Sequence, residues 1–450
     1  MRSVAILSNY GNRNLGDEAS LDAIVDQLRE RCIEVTLHAI SFDPDDTQAR
    51  HGLAAVPAVP LGRASRADRG ARVDGSVPSR PTTSGPLARA KDTLKVVPFA
   101  RRFARLARGA PAAVRAIAAE IALVVRSVRL MRGIDLLIVG GGGQLADDFG
   151  GMWGLPYVIL KWTVIARMAG ARVVFLSVGA GPLESRSARL FSKCALRLAD
   201  YRSFRDEASR EMLAELGVTG DVYPDVAFLL PVKSPERRTP PESTRLTVGL
   251  NPFPYQDGHY WPGGDLEAYR RYLDTLARFA QSLIDRGHSV VLFPTQLRAD
   301  PRVIRDLKAR LTIDPTAGRP ELSEATVDTV ADLVEAISGL DLVVTGRFHG
   351  ILLSYLVHKP VVGLSYQHKM DELMSQMGQL DYVLPIGRVS VPALLRCVED
   401  IESRLPRLSR DLLEATARQR QRLAEQFDLV FGPVPSKGHC AVNPNRSGAA

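Results

Sequence analysis

A strand that ends in an arginine and a histidine is the first place in this chain where chemistry can be expected. The run Asp341-Leu-Val-Val-Thr-Gly-Arg-Phe-His-Gly350 predicts a strand that passes through Gly346 into a helix beginning near His349. Open parallel sheets bind ligands at the carboxyl edge of their strands, and a helix start offers unpaired N–H groups to anions. Arg347 adds a guanidinium suited to phosphate or carboxylate. The segment therefore predicts an anion site with an imidazole beside it.

The same pair of residues has a second interpretation that involves no ligand. In an isolated R-x-H, the histidine can cap its helix while the arginine pairs with a nearby acid. Here the pair is followed by a helix with small residues, a strand that begins after a proline, and then a tyrosine and a lysine. The residues concerned are Ser354, Pro360, Tyr366, Lys369 and Gly378.

Four further blocks place polar residues or glycines just after predicted strands. They are Gly11-Asn-Arg-Asn-Leu-Gly-Asp-Glu-Ala19, Gly140-Gly-Gly-Gly-Gln-Leu-Ala-Asp147, Ser177-Val-Gly-Ala-Gly-Pro182, and Arg205-Asp-Glu-Ala-Ser209 followed by Tyr223-Pro-Asp-Val-Ala-Phe228. Glycine at such a turn lets a ligand approach the backbone closely. The blocks supply further candidates for ligand contact: Asn14, Asp17, Gly141, Gly142, Asp147 and Arg205.

Together these motifs resemble the signatures of the polysaccharide pyruvyl transferase family. The first block is similar to the family's G-N-x-G-D-E loop, the Arg205 block to its R-D-x-x-S, and the Arg347 segment to its R-L-H run, with Phe348 in place of leucine. The resemblance implies an α/β fold of two Rossmann-like domains facing a cleft, the GT-B arrangement. It also implies transfer of a pyruvyl group from phosphoenolpyruvate onto sugar hydroxyls to form a ketal.

The resemblance implies roles for the candidate residues. His349 is the expected acid and base, since a histidine with an ordinary pKa near 6.5 can serve as both at neutral pH. The donor is expected to contact Arg347, Arg205, Gly346 and Lys369. The acceptor is expected to be a glycan or a lipid-linked oligosaccharide, contacted by loops that hold Asn14, Asp17, Gly141, Gly142 and Asp147. We predict no metal and no cofactor other than the donor substrate.

Several candidates also have interpretations in which they only support the fold. Glycines such as Gly179 and Gly181 are common at strand-to-helix turns for steric reasons. Glu18 would complement the dipole of its helix, and we prefer that explanation for it. Asp17, at the edge of its loop, is kept as a candidate for contact with the acceptor.

Arg205 lies near two acids that have equally simple explanations. Asp206 would start a helix and Asp225 would occupy a turn at a strand end. Arg205 itself is expected to be a second cation that faces Arg347 across the cleft and completes an anion site.

Short apolar runs alternate with amphipathic helical patterns through most of the chain, which is typical of α/β folds with parallel sheets. A first Rossmann-like domain, which we interpret as the acceptor side, is predicted over 1–231 with a basic, mobile insertion at about 44–111. A second domain over 245–395 is predicted to carry the donor site. C-terminal helices are expected over 396–431 and a flexible tail over 432–450.

The positive charge of the chain is concentrated in one segment. Residues 60–132 hold 16 Arg or Lys against 4 Asp or Glu, so the formal charge of +8 becomes −4 for the rest of the chain. Nucleic-acid binding is therefore not indicated. Four scattered cysteines and a short apolar start predict a reduced, cytoplasmic protein. The basic insertion suggests a separate hypothesis, peripheral contact with anionic lipid at the cytoplasmic membrane face.

Two other functions are compatible with the same motifs. A glycosyltransferase with two Rossmann-like halves would use the cleft for a nucleotide sugar, although no convincing residues for ribose and uracil are found in the second half. A non-catalytic protein of envelope-polysaccharide assembly could keep the fold and lose turnover. The presence of both Arg347 and His349 argues mildly against that.

Overall fold

The fold is described from a computed structural model of the 450-residue chain. It describes residues 3–31, 34–60, 114–115, 118–147, 153–232, 245–261, 263–311 and 322–434. Most of the predicted insertion, the predicted linker at 233–244 and the tail from 435 lie outside these residues.

Two parallel sheets form the two halves of the molecule. The strands of the first sheet are β1 Ser3–Leu7, β2 Thr36–Ser41, β3 Ala54–Pro57, β4 Leu136–Gly140, β5 Arg172–Val178, β6 Tyr201–Phe204 and β7 Asp221–Val222. Those of the second sheet are β8 Thr247–Asn251, β9 Ser289–Leu292, β10 Leu322–Glu324, β11 Leu342–Thr345, β12 Val361–Ser365 and β13 Val383–Pro385. The strand order is β3-β2-β1-β4-β5-β6-β7 in the first sheet and β10-β9-β8-β11-β12-β13 in the second.

Helices connect the strands and cover both faces of each sheet. Within the described residues they are α1 Leu15–Arg31, α2 Pro44–His51, α3 118–131, α4 Leu155–Met168, α5 Arg186–Arg197, α6 Glu207–Ala214, α7 Leu266–Asp285, α8 Asp300–Lys308, α9 Val330–Ser338, α10 Phe348–Leu356, α11 His368–Gln376 and α12 Val391–Phe431. None of them combines the length and the apolar character that a membrane crossing requires.

The central strands form because their residues are apolar on both sides. Every residue of β4 and of β12 is buried, as expected for strands covered by helices on both faces. Five apolar runs predict central strands, and each lies in a strand to within one residue at either end: Val4 to Leu7, Asp135 to Val139, Val173 to Ser177, Leu246 to Leu250 and Leu342 to Thr345. The start of the predicted insertion at residue 44 is wrong, because residues 44–57 form α2 and the edge strand β3.

The residues from Val391 to Phe427 have a helical pattern, and with the predicted C-terminal helices at 396–431 they form one helix, α12, which contains Pro406. It begins on the second half and ends on the first. Gln426 Nε2 donates to Ser203 Oγ at 2.5 Å, and Arg420 donates to the Phe228 carbonyl at 2.9 Å. The helix therefore ties the two sheets together.

Both sheets have a point where the direction of strand order reverses, and these points hold the loops of interest. In the first half it lies between β1 and β4, and in the second between β8 and β11. Loops from opposite halves meet there, since Leu15 N donates to Thr295 O at 3.0 Å and Leu297 N donates to Arg13 O at 2.9 Å. Open α/β sheets bind their ligands at such points.

Candidate active site

His349 sits where the two halves touch. It is the second residue of α10, as the sequence predicted to within one residue, and it is 8% exposed. Its ring packs on the start of α1, so closely that a Cβ on Gly16 would lie 2.0 Å from His349 Cγ. Only glycine fits at position 16 without displacing the imidazole.

The imidazole is held in an unusual electrostatic state. Nε2 is buried without a hydrogen-bond partner, and the nearest acid is Asp225, whose Oδ2 lies 3.9 Å away. Burial lowers the pKa of His349 to about 4, with Asp225 opposing the shift and Arg205 and Lys369 adding to it. The assumption of an ordinary pKa near 6.5 is therefore wrong for this state of the site, in which the imidazole is neutral at pH 7.

Arg205 lies beside His349 and not opposite Arg347 as expected. Its Nη1 donates to Asp225 at 3.2 Å and its Nε to Asp206 at 3.3 Å. The guanidinium carbon lies 4.2 Å from the centre of the Phe348 ring, a cation–π contact between the two halves. A Cβ on Gly179 would come within 2.4 Å of Arg205 Nη2, so this glycine makes room for the arginine.

A narrow crevice opens between the halves at this point. From the first half it is lined by Arg205, Asp225 and Phe228, and from the second by Phe348, Lys369 and Leu373. Arg205 and Lys369 are the two cations that act on His349. The crevice thus brings together Arg205 and Lys369, which the sequence placed on two separate motifs, next to His349.

Arg347 has a different environment from the one expected. Its guanidinium is paired with the fully buried Asp300, donates to Tyr260 Oη at 3.3 Å, and stacks 4.6 Å from the centre of the Phe253 ring. The alternative interpretation, in which this arginine pairs with a nearby acid, is what the structure shows. Gly346 beside it is sterically required, because a Cβ there would lie 2.9 Å from Phe253 Cβ.

Asp300 explains why this pairing is structural. Its Oδ2 accepts from the backbone N–H groups of Thr295 and Gln296, both at 2.9 Å. The Arg347–Asp300 pair therefore fastens the loop after β11 to the loop after β9. Arg205 is also paired with acids, Asp206 and Asp225, but it lines the crevice together with Lys369, whereas Arg347 does not. The geometry therefore does not support direct donor binding by Arg347.

Asp17 occupies the reversal point of the first half. It is 5% exposed, accepts from Asn14 Nδ2 at 2.9 Å and from Asn9 Nδ2 at 3.3 Å, and faces Gly142. Burial, and then the charge of Glu18, raises the pKa of Asp17 to about 7. Asp17 can therefore exchange a proton near neutral pH, which makes it a candidate base.

The other acceptor-loop candidates have clear structural tasks. Asp147 accepts from the backbone N–H groups of Glu184 and Ser185, at 3.0 and 2.8 Å. Although partial burial raises it, these bonds lower the pKa of Asp147 overall. Gly141 has φ +69° and packs on Ser20, where a Cβ would come within 2.6 Å.

Glu18 also holds the loop together, in line with the structural explanation preferred for it. Its Oε1 accepts from Gly11 N at 3.1 Å, and its Oε2 lies 2.7 Å from His51 Nε2. His51 Nδ1 in turn lies 2.6 Å from Asp22, and these two acids raise its pKa to about 9 although burial opposes the shift. Sequence patterns did not indicate His51, because it lies inside the region assigned to the mobile insertion.

A larger cavity, of about 660 Å³, lies elsewhere along the junction of the halves. It is lined by Arg13 and Arg50 of the first half and by residues 324–329 of the second. It contains none of the titratable groups that surround His349. The groups that act on His349 therefore belong to the narrow crevice and not to this cavity. Across the described stretches, no three His, Cys, Asp or Glu side chains converge as metal ligands would.

Comparison with known proteins agrees with this architecture. A family model described as polysaccharide pyruvyl transferase matches residues 14–368. The amylovoran biosynthesis protein AmsJ of Erwinia amylovora is 20% identical over 303 residues, which cover 64% of this chain and 70% of that protein.

Among solved structures, the S. aureus MnaA–UDP complex matches with a TM-score of 0.52 at 10% identity and covers 97% of this chain and 98% of that one. A putative UDP-N-acetylglucosamine 2-epimerase from Listeria monocytogenes matches with a TM-score of 0.52 at 11% identity and covers 96% of this chain and 98% of that one. The Anabaena Alr3699/HepE complex with UDP-glucose matches with a TM-score of 0.51 at 14% identity and covers 95% of this chain and 100% of that one. The predicted GT-B arrangement is confirmed.

Proposed function

Because this chain belongs to the polysaccharide pyruvyl transferase family, we propose that it moves the pyruvyl group of phosphoenolpyruvate onto two hydroxyls of a glycan or of its lipid-linked precursor. The observation that supports this best is a crevice lined by Arg205 and Lys369, the two cations that act on the neighbouring imidazole of His349. Two cations beside a neutral, unpaired imidazole suit a small, strongly anionic donor that must also be protonated.

Donor binding supplies the charge that the imidazole lacks. The phosphate and carboxylate of the donor lie against Arg205 and Lys369, and their negative charge raises the pKa of His349. His349 therefore becomes protonated, and can act as the acid, only when the donor is bound. Because the crevice is narrow, the two halves separate slightly to admit the donor, as weakly coupled domains can.

The reaction then proceeds in two additions. His349 Nε2 gives its proton to the methylene carbon of the donor, and the oxygen of one sugar hydroxyl bonds to the neighbouring carbon. The C–O bond to phosphate breaks, the phosphate leaves with the bonding electrons, and the second hydroxyl closes the ketal. Two hydroxyl protons are released in all. One returns to His349 and replaces the proton that it gave to the methylene carbon, and the other leaves with phosphate.

Asp17 is the candidate for taking the hydroxyl protons. Its carboxyl lies in the first turn of α1, next to Gly142 and Asn14, and near enough to Asp225 and Arg205 for their charges to act on it. With a pKa of about 7 it can accept a proton at neutral pH and release it afterwards. Arg347 keeps a positioning task, since it fixes the β11–α10 turn from which His349 projects.

The test is mass spectrometry of candidate glycans and lipid-linked oligosaccharides incubated with the protein and phosphoenolpyruvate. A pyruvate ketal with equimolar phosphate release is expected. His349→Gln should abolish the product while calorimetry still detects donor binding, and His259→Gln, at an exposed histidine, should leave turnover unchanged. Undiminished product from His349→Gln would remove the proposed acid.

A glycosyltransferase is the competing function, because three structural neighbours are described with UDP or a UDP-sugar in their names. Fold similarity alone does not separate the two activities. The same incubation with UDP-sugars in place of phosphoenolpyruvate distinguishes them. Release of UDP with transfer of a sugar, and no ketal from phosphoenolpyruvate, would favour the glycosyltransferase.

A further inference from the structure

Helix α4 carries apolar side chains on its outward face as well as on the face that packs against the first sheet. The inward side chains, including Trp162, are buried in the core. The outward ones follow helical spacing from just before the helix to its end: Trp153, Tyr157, Leu160, Val164 and Met168. Of these, Trp153 is 54% and Met168 76% exposed. A helix that is apolar all round is unusual on the surface of a globular protein.

Two neighbouring helices extend this surface. The side chain of Glu120 on α3 bonds to Lys161 of α4 at 2.7 Å, and the Phe191 ring of α5 lies 6.4 Å from that of Trp153. Ile121 on α3 and Leu190 on α5 are each more than half exposed. We call the outward side of these three helices the α3–α5 face.

Positive charge surrounds the apolar side chains on this face. Seven basic side chains on or next to α3 and α5 are exposed or half-buried. On α3 or just after it these are Arg126, Arg129 and Arg132, and on α5 they are Arg186, Arg189, Lys193 and Arg197. Glu120 is the sole acid within the three helices, and its partner is Lys161. Acids flank α5 at Glu184 and at Asp200, and the latter is paired with Arg167. The basic residues therefore outnumber the acids strongly.

We propose that the α3–α5 face rests on an anionic lipid bilayer as a peripheral contact. Apolar and aromatic side chains enter the headgroup boundary while arginine and lysine meet the lipid phosphates, as in interfacial amphipathic helices. Trp153 suits that boundary, where amphipathic rings are favoured. This contact does not depend on the reaction proposed above, and it uses a surface other than residues 61–113.

Charge complementarity favours lipid over a second copy of the chain. A symmetric dimer through this face would bring together two surfaces that each carry seven basic side chains, and like charges across an interface are unfavourable. An anionic bilayer neutralises the same residues. The charge of the α3–α5 face therefore favours binding to an anionic bilayer over binding to the same face of a second copy of the chain.

Flotation with vesicles tests the proposal. The wild-type chain should float with vesicles of phosphatidylcholine and phosphatidylglycerol, less so at high salt, and poorly with phosphatidylcholine alone. The double variant Met168→Glu/Leu190→Glu should bind on the order of tenfold or more weakly, because two apolar contacts become like-charged with the lipid. The matched control Leu266→Glu/Leu413→Glu changes two leucines of similar exposure on α7 and α12 and should float as the wild type does.

Circular dichroism and thermal unfolding establish that both variants are folded. Failure of the wild-type chain to float, or equal flotation of the α3–α5 variant and its control, would overturn the proposal. The second result would assign lipid binding to another part of the chain. Light scattering that shows a dimer in the wild type and a monomer in the α3–α5 variant would also overturn it, in favour of self-association.

Discussion

The proposed mechanism requires that the donor itself charges His349. Burial lowers the pKa of this histidine to about 4, with Asp225 opposing the shift and Arg205 and Lys369 adding to it. Restoring an ordinary pKa near 6.5 takes a stabilisation of the imidazolium by about 3 kcal/mol. One negative charge at about 4 Å supplies about 4 kcal/mol at the dielectric constant typical of protein sites. A donor with at least two negative charges therefore raises the pKa by about two units or more.

Proton NMR titration of the imidazole resonances measures this directly. The resonance of His349 is identified among the eight histidines by its absence in His349→Gln. We expect a pKa near 4 in the free protein and a value above 6 in the presence of saturating phosphoenolpyruvate, measured without acceptor. Inorganic phosphate should produce a smaller rise in the same direction.

Two results would refute this account of the acid. A free-state pKa near 6.5 would show that the imidazole is solvated and not buried between the halves. A pKa near 4 that does not move when the donor is bound would show that the donor charge lies elsewhere.

Three substitutions give further expected outcomes. Gly16→Ala should lower turnover about a hundredfold with little change in donor affinity, because its Cβ would displace the His349 ring by more than 1 Å. Arg347→Ala should reduce the free energy of unfolding by about 3–5 kcal/mol, since it leaves Asp300 buried without its cation. Asp17→Asn should abolish turnover yet stabilise the fold progressively as the pH rises from the ordinary pKa of 3.8 to about 7 and fully above it, because wild-type folding opposes the ionisation of Asp17 over that interval. Steady-state kinetics and urea unfolding measure these effects.

Each substitution has a control or an opposing outcome. Gly181→Ala adds a Cβ with no atom within 4 Å and should behave as the wild type. Arg13→Ala removes an exposed arginine with one weak ion pair at 3.7 Å and should cost well under 1 kcal/mol. For Asp17, stability lost at every pH would indicate a purely structural carboxylate. In the wild type, the pH profile of turnover should be bell-shaped, because activity rises as Asp17 loses its proton near pH 7 and falls as the donor-bound His349 loses the proton that it must give.

Sequence patterns predicted the central strands well because their residues are apolar on both faces and bounded by turns. The edge strands β3 and β10 are short, and their residues are partly exposed, so their patterns are weak. The prediction assigned the first residues of α12 to the second domain, over 245–395, and the rest to separate C-terminal helices over 396–431. The real continuity of α12 depends on packing against both halves.

The site was predictable in its residue types and less so in its pairings. His349 and Lys369 were found from their motif, and Arg205 from another, because strand ends in parallel sheets converge. The partner of Arg347 could not be predicted, because Asp300 lies 47 residues earlier in the chain on a different loop. Likewise, the low pKa of His349 results from contact between the halves, and no local pattern encodes that contact.

The most direct test of the central claim is a crystal structure with phosphoenolpyruvate bound in the absence of acceptor. We expect the phosphate and carboxylate beside Arg205 and Lys369, with the methylene carbon facing Nε2 of His349. A donor bound instead at Arg347, or in the cavity lined by Arg13, would contradict it.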